Sequence, residues 1–129
     1  MPRKKTAAVR LNQPRSRFPR RSPELDVFVD QFLSTVCDTS RRYILELLAE
    51  PNEKDPSVPY ELRSGEIAEV LGLSHATTSE HLHLLADFHL VTTRKQGTAV
   101  YYRLSNHMLV QAFLDFLQAL DHHDQKQSS

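Results

Sequence analysis

S-G-E-I-A-E-V-L-G-L-S-H-A-T-T-S-E-H-L-H-L-L-A-D-F-H-L-V-T-T-R-K-Q-G-T-A-V-Y-Y-R-L, residues 64 to 104, decides the fold. Its first half reads as two short helices joined by a tight turn. Ser64 is the expected N-cap of the first, with Glu66 in the first turn and Ile67, Ala68 and Leu71 at helical spacing. Leu71-Gly72-Leu73 breaks that helix, and Ser74 caps the next, which extends to about Asp87. Within the second helix Thr78, Leu82 and Leu85 share one face and pack inward, leaving Ser74, His75, Thr77, Ser79 and His83 on polar faces. A helix–turn–helix with a small, polar outer face suits a DNA major groove. Leu90 to Arg94 and Ala99 to Leu104 then read as two strands, with the turn at Lys95-Gln96-Gly97-Thr98 and cations at its tip. A recognition helix followed by a basic hairpin predicts a winged helix, mainly α with a small β wing.

Outward from this centre the pattern is helical. Leu25, Phe28, Val29, Phe32, Leu33 and Val36 form an i, i+3, i+4 stripe beginning after Pro23. Arg41 to Glu50 is a compact helix expected to turn Ile44, Leu45, Leu47 and Leu48 inward. Leu109, Phe113, Phe116, Leu117 and Leu120 form a last stripe, begun by Ser105 or Asn106 as a cap. Between them Pro51 to Pro59 is a Pro-rich acidic connector that must be loop, and Tyr60-Glu61-Leu62 is expected to add a short strand beside the wing.

Composition sets limits. A chain of 129 residues holds one domain with a modest core and no room for a spacious enzyme cleft. One cysteine, Cys37, excludes an internal disulfide, and no secretory-type N-terminus or long apolar run is present, so no membrane partner and a cytoplasmic location are expected. The formal net charge of zero conceals an asymmetry. Residues 1–22 carry eight cations and no acid, leaving eight cations against all sixteen acids, a net of −8, in the remainder. Residues 1–23 therefore read as a basic disordered arm, for which two readings stand: a solvated tail, or a cationic arm that reaches phosphates.

The phrases S-H-A-T-T-S-E-H-L-H-L-L-A-D-F-H-L-V, Arg94-Lys95-Gln96-Gly97 and Val100-Tyr101-Tyr102-Arg103-Leu104 together resemble the ArsR/SmtB family of bacterial repressors. Upstream, Cys37-Asp38-Thr39-Ser40-Arg41-Arg42-Tyr43-Ile44-Leu45-Glu46-Leu47-Leu48 looks like the family's second helix. The resemblance covers roughly residues 24–122, one winged-helix domain, with 123–129 left as a polar C-terminal tail. It implies a homodimer built by the first and last helices, among them Leu25, Phe28, Phe32, Leu109, Phe113, Phe116, Leu117 and Leu120. Two-fold symmetry then implies a partly palindromic site on double-stranded DNA. It also implies that Ser74, His75, Thr77 and Ser79 read DNA. His83 is a further donor or acceptor on that helix, and Arg94, Lys95 and Gln96 are the wing's contacts, with the two cations meeting backbone or minor groove. Glu80 departs from the family, which often has a basic residue or His there. His81 fits a customary His, expected to pack against the wing, and Arg103 is expected in an ion pair.

The family's metal ligands are not matched. The cysteine-pair site would follow Glu61-Leu62, where Arg63-Ser64-Gly65 stands, and the last-helix site would fall on Asn106, Met108, Ala119 and His122, of which only His122 is a normal zinc ligand. No metal or other cofactor is therefore expected. Asp121-His122-His123-Asp124 is a cluster of ligand types best read as a solvated tail. Cys37 is read first as a buried small residue and second as a redox-responsive thiol. The effector, small molecule or redox, is left open, as is a regulator without one. No G-x-S-x-G, P-loop or H-E-x-x-H is present, so no enzyme is expected. The rival is a winged-helix module that binds another protein through its acidic body; salt dependence separates the two.

Overall fold

The computed structural model describes residue 18 and residues 20–128. The basic arm expected over residues 1–23 falls mostly on residues 1–17 and 19, which lie outside the described residues. The chain divides into two units after Ser34. The first is dominated by helix α1 (Pro23–Val36), whose last two residues belong to the second unit. Ser22 starts the helix: its Oγ accepts from the Leu25 N–H at 3.2 Å and its carbonyl from the Asp26 N–H at 2.9 Å. Phe28 and Phe32, one turn apart, stack with ring centroids 6.1 Å apart, while Leu25, Phe28 and Leu33 are exposed in the single chain.

The second unit contains the remaining elements. Helix α2 (Thr39–Leu48) begins two residues before the expected Arg41, because the Asp38 carboxylate accepts from the Arg41 N–H at 3.0 Å and caps it. That bond, ahead of the attraction of the Arg41 side chain and against the opposing effect of burial, holds the Asp38 carboxyl below the usual range. Ile44, Leu45 and Leu48 are buried; Leu47 is half-buried. Strand β1 (Leu62–Arg63) leads directly into helix α3 (Ser64–Leu71). Arg63, not Ser64, is the N-cap residue, since Glu66 accepts its backbone N–H at 2.8 Å.

Helix α3 ends at Gly72, with φ +68° and the Leu73 N–H bonded to the Ala68 carbonyl at 2.9 Å. Helix α4 (His75–Asp87) closes the same way, its Leu90 N–H donating to the Leu85 carbonyl at 2.9 Å, but His89 occupies the left-handed position at φ +59°. Strands β2 (Val91–Gln96) and β3 (Ala99–Leu104) form the wing, and the sheet order is β1-β3-β2, antiparallel throughout. The hairpin is tighter than expected. Gln96 pairs with Ala99 across Gly97-Thr98, since Gly97 at φ +63° allows a two-residue turn. Arg94 and Lys95 therefore lie in the strand rather than at the tip. The short strand expected at Tyr60–Leu62 sits one residue further on, where Leu62 pairs with Tyr102 and Arg63 with Tyr101.

Helix α5 (Met108–Ser128) is begun by His107, not by Ser105 or Asn106. The His107 Nδ1 accepts from the Leu109 N–H at 3.0 Å, while the Ser105 hydroxyl is turned back onto the His89 carbonyl. The helix continues through residues 123–128, the segment read from sequence as a tail. Ile44, Ile67, Leu82, Leu85 and Leu90 make the centre of the core. Val110 joins from α5; Leu109, Phe113 and Leu117 are half-buried, and Phe116 and Leu120 exposed. Among the described residues no helix is long and apolar enough to cross a membrane.

Candidate nucleic-acid interface

The two faces of α4 divide as the spacing predicts. Thr78, Leu82 and Leu85 are fully buried, and Thr78 fits because its hydroxyl donates to the Ser74 carbonyl at 2.8 Å, satisfying a polar group within the core. Ser74 caps the helix by accepting from the Thr77 N–H at 3.0 Å. On the outer side Ser74, His75, Ser79, Glu80 and His83 are exposed and Thr77 is half-buried. The candidate readers are therefore brought onto one element, but they are not equivalent. A Cβ placed on Gly65 would lie 3.7 Å from His75 Cε1, so that ring rests beside the start of α3, in a hollow shared with Glu66 and Glu69. Glu80 is exposed among the readers, which keeps a carboxylate on the same helix.

His81 is tied to α2. Arg41 reaches across from the first turn of α2, its Nη1 3.1 Å from His81 Nδ1 and its Nε donating to the Thr35 carbonyl at 2.7 Å. Because a guanidinium only donates, Nδ1 accepts and the imidazole carries its proton on Nε2. One arginine thereby links the chain before α2 to the middle of α4.

The wing contains the chief surprise. Arg94, expected to face DNA, is held by Glu61: Nη2 at 2.8 Å from Oε1, with Nε at 3.1 Å from both carboxylate oxygens. Its guanidinium also donates to Gln96 Oε1 at 2.9 Å and lies 4.8 Å from the centre of the Tyr101 ring. Arg103, expected in an ion pair, approaches the same carboxylate at 3.9 Å. Lys95 and Gln96 remain exposed, and strand alternation puts Lys95 on the face opposite Arg94. The role of Glu61 was not read from sequence. Its signal was the charge match between Glu61 and two arginines on strands expected beside it.

Hydrogen bonds from Arg94, reinforced by the positive charges of Arg94 and Arg103 and opposed by burial, hold the Glu61 carboxyl below the usual glutamate value. A depressed value in the folded chain means that the clamp stabilises fully above the unfolded-state value and is lost as pH falls through the lowered one. Urea midpoints of wild type and Glu61→Gln should differ by an amount equivalent to about 1 kcal/mol near neutrality. That difference should begin to shrink as pH falls below the ordinary glutamate value of about 4.3 and close once the lowered value is passed. A gap that persists unchanged in acid would remove the carboxylate from the account.

Two remaining sites differ from expectation. Cys37, read first as buried, is exposed, because it occupies the turn between α1 and the Asp38 cap. Residues 121–124 are exposed along helix α5, where neighbours diverge by roughly 100°. Among the described residues no three His, Cys, Asp or Glu side chains gather as a metal site.

No family model matches the chain. A 62-residue segment is 36% identical to the HTH-type transcriptional regulator KmtR of Mycobacterium tuberculosis, spanning 48% of each chain, so about half of that relative is matched. The transcriptional regulator HlyU from Vibrio vulnificus is 31% identical, with a TM-score of 0.58 over 75% of this chain and 91% of HlyU. The homodimeric winged helix-turn-helix DNA-binding domain of Mb0332 from Mycobacterium bovis, a possible ArsR-family regulator, is 25% identical. Its TM-score is 0.65 over 84% of this chain and 95% of that domain. Shared along nearly the whole of such regulators, both the wing and the buried seam of α4 carry one conclusion: the chain belongs to the ArsR/SmtB family of winged helix-turn-helix transcriptional regulators.

Proposed function

We propose that the chain is a non-enzymatic, homodimeric repressor that reads a partly palindromic operator. The observation that carries this reading is the division of α4. Its inner seam is fully buried while its first two turns present Ser74, His75, Ser79 and, less exposed, Thr77. These are side chains with donors and acceptors for base edges and phosphates. Lys95 and Gln96 on the wing would contact the backbone beside them. Arg94 supports the wing's shape instead, because Glu61 already holds it. The exposed apolar side chains of α1 and of α5 (Phe116, Leu120) support pairing with a second copy, the arrangement named for the Mb0332 domain. The acidic remainder of the chain gives the basic arm a purpose: it offsets repulsion between that body and phosphates. The rival protein-interaction reading has no comparable observation.

Fluorescence anisotropy on the duplex upstream of the chain's own gene, against a scrambled duplex at two salt concentrations, tests the proposal. Binding should prefer the upstream duplex and weaken steeply with salt. Lys95→Ala should weaken binding to both sequences about equally and lower the magnitude of the logarithmic salt slope by about one. Salt-independent binding, or an unchanged slope in Lys95→Ala, would remove the wing from the phosphate backbone.

A further inference from the structure

The connector Pro51–Pro59, which sequence reading left without a role, forms one wall of a cavity of about 700 Å³, a volume typical of small-molecule sites. The connector is braced by its own side chains. Asn52 Oδ1 accepts from the Lys54 N–H at 3.1 Å, and Asp55 Oδ1 accepts from the Ser57 N–H at 3.0 Å and from its hydroxyl at 2.7 Å. Leu47, Val58, Pro59, Tyr60, Val70 and Tyr101 supply apolar and aromatic surface. Val70, on α3, is 61% exposed in a position where core packing does not require an apolar side chain. Glu50, Glu53, Glu61 and Lys54 are the charged lining, so an acidic excess remains even with Glu61 committed to Arg94.

We propose that this cavity binds a small organic cation with an apolar body, and that its occupant competes with Arg94 for Glu61 and for the Tyr101 ring. The argument rests on shared groups. Glu61 and Tyr101 line the cavity, and the same two residues hold the Arg94 guanidinium, one by its carboxylate and one by its ring face. A ligand ammonium seated between Glu50, Glu53 and Glu61 meets the charge that Arg94 now meets. A ligand's apolar body covers Val58 and Val70 and excludes water from that contact, which strengthens it. Occupancy is therefore reported at Arg94, on the wing, through residues that the wing already uses. The regulatory meaning of this link rests on the proposed DNA reading; the binding itself does not, and it is measured without DNA.

Titration of the full chain with benzylammonium, followed by proton–nitrogen NMR near neutral pH, tests the proposal. Saturable shifts are expected in the amides of residues 50–61 and Val70, together with movement of the Arg94 Nε–H signal. Benzyl alcohol, similar in shape but uncharged, should bind at least about tenfold more weakly, as loss of a cation's attraction to rings and carboxylates implies. Val70→Arg, an exposed substitution that leaves the core intact, should weaken benzylammonium by a similar factor. Equal binding of the alcohol, a static Arg94 signal, full binding by Val70→Arg or the absence of saturable shifts would each overturn the proposal.

Discussion

Replacing Leu85 with Ala should lower stability by about 2–5 kcal/mol, read as a reduced urea midpoint by far-UV circular dichroism. Leu85 is 0% exposed, and it lies where α4 packs into the core, so its truncation leaves a cavity that the surrounding helices fill only in part. Its carbonyl also receives the Leu90 N–H that closes the helix, so loosening here reaches the start of the wing. A domain of this size is stable by roughly 5–15 kcal/mol in all, and the loss should appear as a thermal midpoint lower by about 10–20 °C. The adjacent Leu84 supplies the contrast. It is 40% exposed, and Leu84→Ala should cost under about 1 kcal/mol. Similar midpoints for the two variants would mean that the inner face of α4 is misassigned.

Thr77→Glu should separate folding from DNA binding. Thr77 is the third helical residue after the Ser74 cap, so a glutamate there completes a capping box and places an acid near the positive end of the helix. Stability should be unchanged or higher by a few tenths of a kcal/mol. The same carboxylate stands where the proposed interface meets phosphates and base edges, so operator affinity should fall on the order of 100-fold. Anisotropy with the upstream duplex, beside a urea curve of the same preparation, reads both effects. A stable variant that still binds normally would move the interface off the first turn of α4.

The inner elements were legible because they repeat a simple period. Thr78, Leu82 and Leu85, the Gly72 break and the Ser74 cap are local features, and local chemistry decided each of them. Errors arose where a local signal had competitors. Ser64 was read as the cap, but the reach of Glu66 to the Arg63 N–H makes Arg63 the cap residue. Ser105 was a reasonable cap until its hydroxyl found the His89 carbonyl, leaving His107 to begin α5. For Arg94 the sequence offered only a basic residue close to a turn, and its ion pair was not legible. Only the pairing of β1 with β3 brings Glu61, 33 positions earlier, against it. Side-chain partners across such separations have no period to read. The same holds for Arg41 and His81, 40 positions apart.

The two-residue turn at Gly97-Thr98 has a consequence for how this wing can change in length. Successive cross-strand pairs point to opposite sides of the ribbon, so one added pair lengthens it by roughly 3.4 Å and turns its tip over. A second added pair restores the original side. Reach and orientation are therefore quantised together, and a longer wing with the same side toward a partner comes only in steps of about 7 Å.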